Sequence, residues 1–201
     1  MQTEVTREML HARLAELQQH ALENRTRWAA EEKLTGPGKQ TGVCSAARLA
    51  RCGVFERYRH ATFEGMEEQG VPPGIREQVD MVREYADAIE SHLRDGTGLI
   101  LRGPVGTMKT TLAVAVLQRC LQADHNAMFL TMASLIDAIF SAKAMSGGEW
   151  ARLEEKLRCI PLLVLDDLGA EWGAGWAMTK IDAIFAERYN RRRSIIITTN
   201  L

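Results

Sequence analysis

The sequence predicts an α/β fold: a parallel sheet with helices on both faces, preceded by a helical N-terminal extension. Three stretches carry that expectation. Leu99-Ile100-Leu101 is a short apolar run that leads through a glycine-bearing loop into an apolar, Ala/Leu-rich stretch after Lys109. Pro161 to Asp167 is a continuous apolar run ending in two acids, as in a strand buried on both faces. Ser194 to Asn200 is a third buried run that ends in polar residues.

Composition sets the frame. The chain has 201 residues, 46% hydrophobic and 25% charged, which suits one domain of ordinary size plus an extension. No apolar run approaches the length of a membrane span, and MQTEVTREML has no signal-peptide core. A cytoplasmic location with no membrane partner is expected. The net charge of −1 is silent about nucleic acid, so any such contact must come from local patches. Cys120 and Cys159 read as small core residues. Cys44 and Cys52, with His60 nearby, match no standard zinc spacing.

Residues 1–42 form the extension. Leu10, Leu14, Leu17 and Ala21 recur at helical spacing within 3–34, and Gly36, Pro37, Gly38 and Gly42 mark a linker behind them. Such a tethered helix suits docking to a partner, or equally folding onto the main domain or pairing with itself. Residues 43–76 are an entry segment, helical from Ala46 to about Cys52. Its aromatics Phe55, Tyr58 and Phe63 are expected to pack, and its arginines to face solvent, phosphate or DNA. Pro72-Pro73-Gly74 marks the way into the core, 77–201.

Val79, Val82, Tyr85, Ala86, Ile89 and Leu93 predict one helix, closed by Asp95-Gly96. After the first strand and its loop, a helix at 111–122 and a strand at 127–131 follow. Leu135, Ile136, Ile139 and Phe140 define another helix face, Ser146-Gly147-Gly148 a loop, and Glu149 to Arg158 a short charged helix. Met178 to Tyr189 is helical, with Ile181, Ile184, Phe185 and Tyr189 on one side.

The loop Gly103-Pro104-Val105-Gly106-Thr107-Met108-Lys109-Thr110-Thr111 follows the phosphate-binding pattern G-x-x-x-x-G-K-[ST] with one departure. Met108 stands where the second glycine belongs. A loop that opens onto a helix start offers backbone N–H groups and the positive end of the helix dipole to an anion. Lys109 is expected on the β- and γ-phosphates of ATP, and the Thr110 hydroxyl on Mg²⁺. Met108 either turns aside or weakens the site. Weakened nucleotide affinity is expected, with Met108→Gly restoring it.

Asp166 and Asp167 close the strand at 161–167 in the Walker B arrangement. Asp166 is expected to hold Mg²⁺ through water, and Asp167 to orient or deprotonate the attacking water. Glu171 is a weaker candidate for that task. Asn200, at the end of the 194–200 strand, is placed to reach the γ-phosphate or the water if that strand lies between the other two.

These stretches, together with Gly53 to Phe63, Asp-Asp-Leu-Gly-Ala-Glu at 166–171 and Thr-Thr-Asn-Leu at 198–201, resemble a family. It is that of the bacterial replicative helicase loaders (DnaC-like) and the IstB-like transposition helper ATPases, AAA+ P-loop NTPases. The likeness runs from about Cys52 to Leu201. It implies strand order 1-4-3-2, a sensor role for Asn200, and N-terminal helices that bind the replicative helicase in a loader. It further implies single-stranded or duplex DNA as partner, a transposase in place of the helicase for the helper, and a homo-oligomer formed on ATP binding. The family's fifth strand, arginine finger and sensor-2 region would lie past Leu201. Without those parts, and with Met108 in the loop, the resemblance implies weak ATP hydrolysis or a non-hydrolysing adaptor.

Overall fold

The computed structural model describes residues 44–144, 148–169 and 175–200. The expected helix at 3–34, its linker, Ser146-Gly147, Glu171 and Leu201 lie outside the described residues. In chain order the helices and strands are α1 (Ala46–Arg51), α2 (Phe63–Gln69), α3 (Arg76–Asp87), α4 (Ile89–Asp95), β1 (Leu99–Arg102) and α5 (Lys109–Gln122). They continue as β2 (Ala127–Thr131), α6 (Met132–Ala144), α7 (Gly148–Cys159), β3 (Leu162–Leu168), α8 (Gly175–Asn190) and β4 (Ser194–Thr199). No helix of the described residues is long and apolar enough to cross a membrane.

The four strands run parallel in the order β1-β4-β3-β2. Alternation along the central strands builds a core on each face. Leu162 and Val164 of β3, with Ala127 and Phe129 of β2, join the core under α3, α4 and α5. Leu163 and Leu165, with Met128 and Leu130, join the one under α6, α7 and α8. All six apolar positions of α5 from Leu112 to Leu117 are buried, which explains its lack of a polar face.

Residues 44–75 close the outer edge of β2. The Phe129 N–H donates to the Cys52 carbonyl at 2.6 Å. Gly53 makes this approach: its φ is +92°, and a Cβ there would stand 2.1 Å from the Phe129 carbonyl oxygen. Gln118 of α5 pins the same segment by donating to the Ala61 carbonyl at 2.8 Å.

Four expectations need correction. The single helix expected over 75–93 is two, broken at Ala88 (φ −97°, ψ 23°) with no Gly or Pro to announce it. Beyond the break the buried Tyr85 hydroxyl donates to the Thr97 carbonyl at 2.6 Å, and its ring stacks on His92 at 4.2 Å. β1, expected as a short buried strand, is only half-buried: it lies at the sheet edge that the order 1-4-3-2 implies, with Ile100 72% exposed. Tyr189 faces solvent (85% exposed), because the inward position at that turn of α8 is Arg188. Buried Arg188 donates to the carbonyls of Leu157, Ile160, Pro161 and Ser194, tying the end of α7 to the starts of β3 and β4. Cys159 is not core; its thiol donates to Glu155 at 2.8 Å on the α7 surface.

Tyr85 sets an alkaline limit. Burial pushes its hydroxyl up to about 12. The neutral form is thus favoured on folding, so this share of stability is complete below the ordinary tyrosine value of about 10 and is lost as pH rises through about 12. Thermal melts from pH 8 to 12 should show Tyr85→Phe less stable by about 1 kcal/mol at pH 8 and flatter in its alkaline decline. Cys120, raised by burial to about 12, and Cys44, also raised by burial, contribute to the decline that remains. Parallel curves for the two proteins would rule this out.

Candidate functional site

The loop 103–108 leaves β1 and opens directly onto α5. Gly106 has φ +86°, and a Cβ there would meet nothing within 4 Å, so the loop backbone borders open space. Lys109 folds its ammonium back over the loop, donating to the carbonyls of Gly103 at 2.8 Å and Pro104 at 2.7 Å. The Thr107 hydroxyl donates to the Pro104 carbonyl at 2.8 Å and completes the turn. The first amides of α5 have no partner within their own helix, which leaves them for an anion.

Met108 is the N-cap of α5 and holds the left-handed conformation of the glycine it replaces (φ 60°, ψ 15°). For a residue with a Cβ that costs roughly 1–2 kcal/mol. Its side chain turns aside and packs against the core that also holds Leu99, Leu101 and Leu112. The steric ground for a weakened site is therefore gone, and the strain is already present without ligand. Met108→Gly is expected to change ATP affinity by less than about threefold, since strain shared by both states cancels in binding. A titration showing a tenfold gain would put the thioether back among the phosphates.

The acids stand beside this helix start. Asp166 is buried (6% exposed), and its Oδ1 accepts from the Thr110 hydroxyl at 2.8 Å and the Thr198 hydroxyl at 2.7 Å. No cationic side chain of the described residues pairs with it. A buried carboxylate served only by hydroxyls suits a metal cation.

Asp167 points elsewhere for a structural reason. Leu165 pairs with Ile197 and Leu168 with Thr199, so β3 carries one residue more than β4 between these points. Asp167 sits in this bulge at φ 64°, a conformation aspartate tolerates better than most residues. Its N–H, lost to the ladder, donates to the Thr198 hydroxyl at 2.9 Å. Its carboxylate emerges at the surface and accepts from the Asn200 amide at 2.7 Å.

Lys109, Thr110, Asp166, Asp167 and Asn200 are thus joined through α5, β3 and β4 at the C-terminal edge of the sheet. Val105 projects into solvent and Thr111 is half-buried. Thr198 was not singled out from the sequence. Its signal is the first hydroxyl after three isoleucines, two residues before Asn200.

Comparison with known proteins adds a lineage. Residues 77–201 match the family model described as IstB-like ATP binding protein. A putative insertion sequence ATP-binding protein, y4pL of Sinorhizobium fredii, is 30% identical over 78% of this chain and 59% of its own length. The replicative helicase loader DnaC of Escherichia coli is 23% identical over 75% of this chain and 59% of its own. The chain therefore spans about three fifths of the length of these relatives. A crystal structure of the DnaC helicase loader superposes with a TM-score of 0.64 at 28% identity, over 73% of this chain and 80% of that one. The four-stranded parallel sheet is that of the AAA+ P-loop NTPases. With more than half of its length matched by one family model, the chain belongs to the IstB-like ATP binding protein family.

Proposed function

We propose that the chain is an ATP-switched loader, which binds Mg·ATP, assembles with copies of itself and holds a replicative helicase for delivery to DNA. The observation that carries this reading is the convergence of Thr110 and Thr198 on one Asp166 oxygen, with Asn200 on Asp167 beside it. Thr110 and Asp166 are the residues to hold Mg²⁺, which when bound would neutralise charge on the phosphate oxygens. Lys109 and the α5 amides bind the phosphates. Asp167 accepts a proton from water or orients it, while Asn200 fixes the carboxylate. Asn200 ends β4, and the Asp167–Asn200 pair is where a γ-phosphate gained or lost is felt by the sheet.

A second reading, a transposition helper that binds DNA and a transposase, is favoured by the family model and the insertion-sequence relative. Capture on immobilised helicase and immobilised transposase, each with and without ATP, separates the two. The loader reading expects ATP-dependent capture by the helicase that is lost on deleting residues 1–42. Capture by the transposase alone transfers the chain to the second reading. Failure of a fluorescent ATP analogue to bind the full chain overturns both.

A further inference from the structure

A charge imbalance sits away from the nucleotide site. Residues 44–62 carry four arginines, Arg48, Arg51, Arg57 and Arg59, and one acid, Glu56. Five arginines elsewhere are matched, Arg76 and Arg83 with Glu67, Arg119 with Glu64, Arg158 with Glu154, Arg191 with Glu155 and Glu187, whereas Arg94, Arg152, Arg192 and Arg193 are spread over other elements without a carboxylate of the described residues. On this segment only Arg48 approaches a carboxylate of the described residues, Asp124 at 3.9 Å. Arg51, Arg57 and Arg59 pair with none of them.

The segment is also rigid. It is fastened to the outer edge of β2 by the Phe129-to-Cys52 hydrogen bond, and Gln118 reaches the Arg59 and Ala61 carbonyls at 3.3 and 2.8 Å. Arg59 Nε donates to the Val54 carbonyl at 3.3 Å, which folds the turn back on itself. The Arg57 guanidinium lies 4.6 Å above the Tyr58 ring, and the Phe55 ring rests edge-on against Phe129 at 5.9 Å. Arg51, Arg57 and His60 are exposed.

We propose that this turn grips the phosphodiester backbone of nucleic acid without reading its bases. Guanidinium forks match phosphate oxygens in pairs, and a fixed backbone lowers the entropy lost on contact. Several unmatched guanidiniums within one short turn suit a polyanion with regularly repeated charge better than a single anion. The whole chain carries −1, so the attraction is local rather than a general field. The proposal rests on the DNA-handling part of the function proposed above and assigns a surface to it.

The test is anisotropy of a labelled duplex and a labelled single strand of equal length, titrated with the full chain across a salt series. The variant is the double reversal Arg51→Glu with Arg57→Glu; Arg51→Gln with Arg57→Gln repeats it without new acids. Lys180→Glu with Arg192→Glu, on α8 and in the turn behind it, makes the same charge change outside residues 44–62. A fluorescent ATP analogue is titrated on every protein. The proposal expects about tenfold weaker DNA binding in the Arg51/Arg57 variants, a salt slope smaller by about 2 on duplex, and unchanged ATP affinity. The tighter of the two DNA forms in the wild type names the source of the backbone. Equal weakening by the control reversal overturns the proposal, as does unaltered DNA binding in the Arg51/Arg57 variants. So does the loss of helicase or transposase capture with DNA binding intact, which would assign the turn to a protein partner. Absence of ATP binding in the wild type overturns the nucleotide reading instead, whatever the DNA result.

Discussion

Lys109→Ala is expected to weaken Mg·ATP binding about 100-fold, equivalent to about 3 kcal/mol, the upper range for a charged hydrogen-bonding group. The ammonium is held inside the loop by the Gly103 and Pro104 carbonyls and lies 3.5 Å from the Thr107 hydroxyl. These are neutral acceptors, and an anionic phosphate oxygen competes well against them because a charge-assisted bond is about twice as strong. Without the side chain, the loop amides and the α5 dipole still attract phosphate, so binding weakens rather than vanishes. The fold loses little, since the contacts removed lie within one partly exposed loop. Calorimetric titration with Mg·ATP, paired with a thermal melt, checks both parts. Unchanged affinity in the folded variant would mean that the loop does not hold the phosphates.

Asp167→Asn is expected to lower ATP turnover at least about 100-fold with ATP affinity within a few-fold of wild type, the signature of a lost general base. The bulge in β3 separates the two acids by role. Asp166 stays buried and answers to Thr110 and Thr198, on the side of the phosphate loop. Asp167 is turned outward and keeps one carboxylate oxygen on the Asn200 amide. The amide substitution preserves size but removes the group that takes a proton. It also gives Asn200 a facing NH₂ unless the new side chain flips. Phosphate release under saturating ATP reads the outcome. Equal rates in both proteins, each above the enzyme-free blank, would remove Asp167 from the chemistry. Two rates at the blank would identify a nucleotide-binding adaptor that does not hydrolyse.

The most legible parts were those where chemistry is local in the chain. The strand–loop–helix unit at 99–122, the acids after the 162–165 run and Asn200 after the isoleucines all proved to lie together. Less legible were positions where a distant segment takes over a local preference. The helix expected through 75–93 has good helix formers at its break, and it is Tyr85, bonded at Thr97, that belongs to the new geometry. The helix face was drawn through Tyr189, yet the buried position is 188, which collects carbonyls from three segment ends that a long multiple donor can satisfy. Tyr189 was chosen for its ring, and it faces water.

Residue type and spacing alone determined that a phosphate loop joins an apolar strand to a helix, and that two acids and an asparagine end parallel strands of one sheet. These are consequences of periodicity and side-chain chemistry over a dozen residues or fewer. Tertiary structure alone decided where Met108 puts its thioether, which acid stays buried, and that Thr198 bridges both. Each of these depends on a register between segments far apart in the chain, Thr110 with Asp166 across 56 residues and Asp166 with Thr198 across 32. A single extra residue in β3 turns neighbouring carboxylates to different tasks, and its position is set by the pairing with β4 rather than by anything in the acids themselves.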